Sequence, residues 1–188
     1  MNALECEFNP VSTPRGSEWH RWDPHIHAPG TVLNDQFSGE WETYLTRIEG
    51  SSPAIEALGI TDYFSIRTYR EVREWQNRGR LGNVALIFPN VEMRLDIKTG
   101  KKKSINLHLL FSPDDPNHAD EIERILDFLE FEFRERIYKC TAPDLISLGK
   151  AFDPQQVGDR GALRVGVNQF TTTPRDELCA KVGDGLTG

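Results

Sequence analysis

The segment Asp23-Pro24-His25-Ile26-His27 places two histidines at the end of the first predicted strand, residues 19–26. Side chains at positions i and i+2 of a strand face the same side, so both imidazoles should point to one place, and Asp23 shares their parity. Two neutral imidazoles in this arrangement can chelate one divalent metal, and Asp23 can either ligate it or fix the tautomer of a ring. A chance pair of solvated or core histidines is the alternative, which the pattern alone leaves open.

Helix-like and strand-like patterns alternate along the rest of the chain, an order that favours an α/β fold. Apolar runs bounded by turn residues predict buried strands, and apolar residues spaced three or four apart predict helices. The predicted strands cover residues 19–26, 58–61, 84–88 and 163–170. The predicted helices cover residues 41–48, 52–57, 67–78, 117–133 and 141–152. We expect an irregular lead-in at 1–18, one domain over 19–178 and a Gly-rich tail at 179–188.

The composition is that of a globular protein and excludes several classes. Of 188 residues, 29 are acidic and 22 basic, giving a formal charge of −7, so the chain as a whole is a poor general binder of polyanions. No apolar run approaches the roughly 18 residues of a membrane span, and the N-terminus lacks the pattern of a signal peptide. Three cysteines with no CxxC pair indicate a reducing compartment. We therefore expect a cytoplasmic protein with no membrane partner.

Two segments of alternating apolar residues, 91–97 and 105–111, flank a turn centred on Gly100 and predict a β-hairpin. Glu92 and His108 interrupt these segments with side chains that are costly to bury unless they are paired or bound to a metal. An odd number of loop residues centred on Gly100 would place Glu92 opposite His108, with Cβ atoms about 4.5–5.5 Å apart. An even number would put the two side chains on opposite faces, and an ordinary solvent-facing hairpin is the alternative.

Asp62 and the lysines at the hairpin tip each have two interpretations. Asp62 ends an apolar run, where active residues of α/β folds lie, but a turn or N-cap aspartate fits the same position. Lys101, Lys102 and Lys103 can contact a nucleic-acid backbone, or they can simply keep the tip solvated and discourage edge aggregation.

Four short motifs, taken together, resemble a known family. Their order along the chain is Asp23-x-His25-x-His27, Gly59-Ile60-Thr61-Asp62, Asn90-Val91-Glu92 and His108-Leu109-Leu110. This order resembles the PHP (polymerase and histidinol phosphatase) domain. The residues around the motifs, together with Gly166-Val167-Asn168-Gln169-Phe170, resemble the TrlF-like branch, in which an N-terminal PHP domain precedes a P-loop ATPase. The resemblance covers about residues 17–178.

The resemblance implies a PHP-type distorted (β/α)7 barrel, a TIM-like fold that a chain of 188 residues would leave incomplete. It also implies two or three divalent ions, commonly zinc, manganese or iron, and hydrolysis of phosphate esters by metal-activated water. By motif position, His25 and His27 would bind the first ion, Glu92 would bridge two ions and His108 would bind the second. Asp62 and Asp23 are further candidate ligands.

The branch also implies a substrate class and a partner. Its longer members look like phage-defence nucleases fused to an ATPase, so phosphodiester bonds of DNA or RNA are the expected substrate. An ATPase domain or subunit is the expected partner. The residues alone do not select a substrate.

The chain departs from the family pattern at several points. Tyr63 stands where many PHP domains have a histidine that serves a third metal, and Pro24 and Ala28 replace the common Leu and Thr beside the HxH motif. The late Asp-x-His motif and a Walker-type loop are absent from the sequence, and His118, the last histidine, is the candidate replacement ligand. A truncated or degenerate PHP module that binds partners without catalysis is therefore the alternative function. TatD-like and amidohydrolase barrels also begin with HxH, but they need later ligands that this sequence lacks.

Overall fold

Strands and helices alternate through the computed structural model, which describes residues 20–156 and 158–173. The predicted lead-in at 1–18 and the predicted tail at 179–188 lie outside the described residues, as does Trp19 at the start of the first predicted strand. In chain order the elements are β1 (Arg21–His27), α1 (Trp41–Glu49), β2 (Ile55–Tyr63), α2 (Arg67–Asn77), β3 (Leu86–Lys98), β4 (Ser104–Leu110), α3 (His118–Asp127), β5 (Glu130–Phe133), β6 (Arg136–Lys139), α4 (Ala142–Phe152) and α5 (Asp159–Gln169).

The main sheet has four strands in the order β1-β2-β3-β4. The first three are parallel, and β4 returns antiparallel to β3. The inner half of β3 pairs with β2 as far as Glu92, whereas its outer half hydrogen-bonds to Thr172. Thr172 N donates to Arg94 O, and Asp96 N donates to Thr172 O, both at 2.9 Å. Strands β5 and β6 form a separate two-stranded ribbon.

The expected (β/α)7 barrel is wrong for the described part of the chain. The sheet there is a curled, mixed four-stranded half-barrel, although the broader α/β class agrees with the structure. The difference arises because the chain reverses direction at the β3–β4 hairpin and because most of the chain after β4 folds as helices and a small ribbon rather than as further parallel strands. None of the described helices is long and apolar enough to cross a membrane.

Three element predictions were wrong in informative ways. Residues 163–170 are mostly in helix α5, because Ala162, Gly166 and Val167 form a buried helical stripe that the β-branched residues obscured. Residues 52–57 form no helix, because the parallel pairing of Ile55 and Ala57 with β1 draws them into β2. The helix predicted over 117–133 ends at Asp127, and its last apolar residues belong to β5.

The other helices and the hairpin follow the sequence closely. Helices α1 and α2 agree with the predicted bounds to within one residue. Helix α4 begins with the predicted cap, in which Asp144 N donates to Thr141 Oγ1 at 3.4 Å. Buried apolar residues from both sides of the sheet join these elements into one hydrophobic core that extends from Ala28 to Phe170.

Helices α4 and α5 approach each other closely at two glycines. A Cβ built on Gly149 would lie 1.8 Å from Ala162 O, and one built on Gly166 would lie 1.8 Å from Leu145 O. Both obstacles are backbone carbonyls, which cannot rotate away as a flexible side chain can. The close contact fixes α5 against α4 and so sets the position of the exposed face of α5.

Gly149→Ala should destabilise the protein even though alanine is the better helix former. The helices must separate to accept the methyl group, and overpacking of this kind costs about 1–3 kcal/mol. The gain in helix propensity is at most about 1 kcal/mol. Chemical denaturation should therefore give a lower free energy of unfolding. Gly82→Ala, whose Cβ would meet no atom within 4 Å, is the matched control; equal stability of the two variants would contradict the close helix contact.

Candidate metal centre

The sheet brings the candidate ligands together at the carboxyl ends of its first two strands. His25 and His27 lie at the end of β1, and the last residue of β2, Tyr63, pairs with Glu92. On the other side of β3, Glu92 pairs with His108. This is the pairing expected of an odd loop centred on Gly100. It arises in another way, because the loop between Lys98 and Ser104 is centred on Lys101 and the register shifts between Arg94 and Lys98. Ligands of open α/β sheets bind at this edge.

The carboxylate of Glu92 lies among three imidazoles. Its Oε2 atom is 3.6 Å from His25 Nε2 and 3.8 Å from His27 Nε2, and its Oε1 atom is 4.0 Å from His108 Nε2. The two Nε2 atoms of His25 and His27 are 3.2 Å apart. Three ligand atoms, one from each of His25, Glu92 and His108, lie within 4.8 Å of one another, so this group could hold a metal ion.

One oxygen of the Glu92 carboxylate has a partner and the other has none. Oε1 accepts a hydrogen bond from Asn106 Nδ2 at 2.5 Å. Oε2 is buried without a hydrogen-bond partner among the described residues. A buried carboxylate oxygen without a donor is costly, and a bound cation is the usual compensation. This oxygen faces the side of the site where the Nε2 atoms of His25 and His27 lie.

Hydrogen bonds fix the tautomers of two of the three rings. His27 Nδ1 donates to Thr61 O at 3.1 Å, which leaves the lone pair on Nε2. His108 Nδ1 lies 3.1 Å from Asn90 Oδ1. Pro24 O can only accept, and Asn90 Nδ2 donates to it at 2.8 Å, which fixes the orientation of the Asn90 amide. Asn90 Oδ1 is therefore the atom that faces His108, and His108 must donate to it from Nδ1. Both Nε2 lone pairs therefore remain available for a metal, in the manner of metal-bound histidines generally.

Burial keeps these two imidazoles neutral. Desolvation, followed by the nearby His25, lowers the pKa of His27 below its ordinary value. Desolvation likewise lowers the pKa of His108. Neutral imidazoles bind metals, whereas imidazolium ions do not.

The donor set and its spacing fit one divalent ion. Ligand atoms that share a tetrahedral zinc, with bonds of about 2.0–2.1 Å, lie roughly 3.3–3.4 Å apart. The distances of 3.2 and 3.6 Å from His25 Nε2 to its two neighbours are close to that value. Imidazole nitrogens with a carboxylate oxygen suit zinc, manganese or iron. The expected ligand types are thus assembled at one place.

Asn90 is the residue that holds the centre together, and the sequence analysis did not assign it this role. Its Nδ2 donates to Pro24 O in β1 and to Thr61 Oγ1 in β2. Its Oδ1 accepts a hydrogen bond from His108 Nδ1 in β4. It is 1% exposed. The sequence does contain a signal for this role, because Asn90 is a polar residue two positions before Glu92 and therefore lies on the same face of the strand.

Gly59 allows β1 to approach β2 closely beside this network. A Cβ at Gly59 would lie 2.2 Å from Pro24 O, the same carbonyl that Asn90 binds. The register between β1 and β2 shifts between Asp23 and Ile26 at this point. Glycine therefore permits the irregular segment that carries His25.

Three predicted ligands, His27, Asp23 and Asp62, lie outside the group of His25, Glu92 and His108. His27 is nevertheless next to it, with its Nε2 atom 3.2 Å from His25 Nε2. Asp23 Oδ1 accepts from His25 N at 3.3 Å, and the register shift interrupts the regular alternation from which its parity was inferred. Asp62 is 1% exposed and accepts hydrogen bonds from Tyr63 N and Thr68 Oγ1. Burial raises the pKa of Asp62 to about 6. Its contacts are those of a turn carboxylate at the start of α2, and a ligand role for either aspartate stays a prediction.

Tyr63 lies against the centre. Its ring stacks on His27 with centroids 5.4 Å apart, and its hydroxyl accepts from Asn34 Nδ2 at 2.7 Å. Burial and the charge of Glu92 raise the pKa of Tyr63 to about 12, so the hydroxyl stays protonated at neutral pH.

His118, the candidate replacement ligand, has other partners. Its Nδ1 donates to Asp115 O, and its Nε2 accepts from the Tyr69 hydroxyl at 2.7 Å. Because both ring nitrogens are engaged, His118 does not join the group of His25, Glu92 and His108.

Comparison with known proteins adds no assignment. No family model matches the chain, and no curated protein matches it. The resemblance to PHP domains therefore stays a prediction from the motifs.

Metal binding should depend on His25 and Glu92 but not on His118. His25→Ala and Glu92→Gln each remove a donor atom from the cluster, and Glu92→Gln also removes its negative charge. Isothermal titration with zinc and manganese should show affinity reduced by at least about tenfold in both variants. His118→Ala is the matched histidine control and should bind as the wild type does. Equal affinity in all four proteins would contradict a metal site at Glu92.

Asn90→Ala should weaken both metal binding and stability. The change removes the acceptor that orients His108, and loss of such an outer partner typically costs about 10–100-fold in metal affinity. It also leaves Pro24 O and Thr61 Oγ1 without this donor, at about 1–3 kcal/mol for each buried group left unsatisfied. Titration calorimetry and chemical denaturation measure the two effects. Unchanged metal affinity in a folded variant would remove the positioning role.

Proposed function

We propose that this protein is a metal-dependent phosphoesterase of the PHP type, acting preferentially on phosphodiester bonds. The observation that carries the proposal is the buried Glu92 carboxylate, with an unpartnered oxygen, surrounded by the Nε2 atoms of His25, His27 and His108. The same four residues occupy the ligand positions of the PHP-like motifs. The geometry and the order of the motifs therefore support the same site.

Access to the site is uneven. The His25 side chain is 47% exposed, whereas those of His27 and Glu92 are 12% and 4% exposed. A substrate would therefore approach from the side of His25, while the sheet holds the ligands on the opposite side. Thr61, Asn90 and Asn106 fix the buried side chains, so little reorganisation is needed when an ion or a phosphate oxygen arrives.

The chain's own residues bind and orient, and the ion supplies the chemistry. A divalent metal held here would polarise a phosphoryl oxygen and lower the pKa of bound water towards about 7. The lowered pKa values of His27 and His108 keep both rings unprotonated, so that neither competes with the ion for its lone pair. By motif position the proposed number of ions is two, which His25, His27, Glu92 and His108 would hold.

The finer parts of the proposal rest on the motif resemblance. They are a DNA or RNA substrate, a role in antiviral defence and an ATPase domain or subunit as partner. The proposed cytoplasmic location rests instead on the composition, in which three cysteines form no CxxC pair. A second function, a metal-binding module without catalysis, is favoured by one observation. Tyr63, packed on His27 and hydrogen-bonded to Asn34, occupies the motif position of an imidazole that serves a third metal in many PHP domains.

Glu92→Gln should abolish hydrolysis while leaving the fold intact. The test substrate is bis(p-nitrophenyl) phosphate, assayed with added zinc, manganese or iron(II). Loss of the bridging charge should lower the rate by at least about 100-fold, which corresponds to roughly 3 kcal/mol in the barrier. The melting temperature should change by no more than a few degrees, and His118→Ala should retain full activity.

The outcomes separate the two functions. A wild-type protein that binds metal stoichiometrically but hydrolyses no diester with any of the three metals would favour the non-catalytic module. A Glu92→Gln variant as active as the wild type would place the chemistry elsewhere.

A further inference from the structure

A large cavity lies beside the metal centre and is unused by the proposed function. Its volume is about 1110 Å³, and it lies between the loop that follows β1 and the exposed face of α5. Gly30, Thr31 and Asn34 line the loop side, and Arg160 and Arg164 line the helix side. This volume is at the upper end of the range for small-ligand sites.

The cavity is coupled to the metal centre through two side chains. Asn34 lines the cavity and donates to the Tyr63 hydroxyl, and the Tyr63 ring stacks on His27. The loop itself leaves β1 directly after His27. A ligand in the cavity would therefore be linked to His27 through Asn34 and Tyr63.

Arg160 and Arg164 are free cations at this cavity. They are exposed, one turn apart on α5, so their Cβ atoms are about 5–6 Å apart on the same face. Within residues 20–156 and 158–173, neither guanidinium has an ion pair, a hydrogen bond or a ring contact. The neighbouring Asp159 is not their partner, because it pairs with Lys150 at 2.7 Å.

The remaining charges of the cavity are already satisfied. Arg67 pairs with Glu71 and donates to Gly30 O. Asp35 turns inwards and accepts from Gly30 N at 3.0 Å and Phe37 N at 3.1 Å. Among the charged residues that line the cavity, Arg160 and Arg164 are thus the two guanidiniums without an ion pair to a described residue, in a chain whose net charge is −7.

We propose that this cavity binds the phosphates next to the scissile bond of a single-stranded nucleic acid, through Arg160 and Arg164. The inference rests on the proposed phosphodiesterase function and names its substrate class. The planar guanidinium presents paired donors that match phosphate oxygens. A single strand is narrower than a duplex, so it is the form that we expect to enter a cavity of about 1110 Å³. The close packing of α5 on α4 through Gly149 and Gly166 holds the two arginines in place.

Oligonucleotide binding tests the subsite without requiring turnover. A short fluorescein-labelled single-stranded DNA is titrated by anisotropy with Glu92→Gln protein and with the same protein carrying Arg160→Gln and Arg164→Gln. The added changes should raise Kd roughly tenfold or more. They should also reduce the slope of log Kobs against log salt by about 1.4, or about 0.7 for each phosphate that the arginines no longer neutralise.

A matched control separates the subsite from overall charge. Arg78→Gln with Arg124→Gln removes the same charge at exposed arginines that do not line the cavity, and it should leave both Kd and the salt slope unchanged. Equal weakening by both pairs would overturn the subsite, as would the absence of single-strand binding. Duplex DNA bound as tightly as the single strand, with the same dependence on Arg160 and Arg164, would overturn the choice of a single strand.

Hydrolysis of bis(p-nitrophenyl) phosphate, which carries no neighbouring phosphate, distinguishes failure of the subsite from failure of the proposed function. Arg160→Gln with Arg164→Gln should raise KM for an oligonucleotide by a much larger factor than KM for this small diester. Arginine-dependent binding without diester hydrolysis would sustain the subsite and refute the phosphodiesterase. Hydrolysis of both substrates without any effect of the two arginine substitutions would support the phosphodiesterase and refute the subsite.

Discussion

The burial of the Glu92 carboxylate is the constraint on which the candidate site depends. Its side chain is 4% exposed, and Asn106 satisfies one oxygen only. The tautomers fixed by Thr61 and Asn90 turn lone pairs, rather than N–H groups, of His27 and His108 towards it. Negative charge and imidazole lone pairs repel one another. A cation between them relieves the repulsion, and protonation of the two buried rings is opposed by their own desolvation.

The sheet meets this constraint by fixing β3 from both sides. Tyr63 of β2 and His108 of β4 both pair with Glu92, so a slip of one residue in either pairing would turn the carboxylate to the opposite face. Asn90 then links β3 to Pro24, Thr61 and His108 in the three other strands. The mixed topology is useful here, because the parallel strands bring their carboxyl ends to one edge and the hairpin returns a further ligand to the same edge.

The parts of the site that depend on strand alternation could be predicted from the sequence. His25 and His27 share a face because they are two residues apart. The Glu92–His108 pairing was a possible outcome of an odd loop, but it also needs the register shift between Arg94 and Lys98, because the loop between Lys98 and Ser104 is centred on Lys101. The role of Asn90 could not be predicted in the same way, because its partners come from three strands and depend on the register shift beside Pro24. The barrel was inferred from motifs that cover only the early strands. Residues 163–170 were misassigned because their β-branched residues suggested a strand, while burial against α4 decides the helix.

The proposed function requires an acidic protein to bind a polyanion, so local positive charge would have to outweigh the net charge. A net charge of −7 opposes long-range attraction of nucleic acid, and within a Debye length of about 8 Å the local charges dominate. Four of the thirteen described arginines, Arg67, Arg70, Arg78 and Arg80, form ion pairs with carboxylates, whereas Arg160 and Arg164 have none among the described residues. The proposed subsite would add its own local attraction to that of an ion at Glu92. Only a ligand that presents phosphates to both places at once gains from both, and this favours a chain of phosphodiesters over an isolated phosphate or an unselective surface contact.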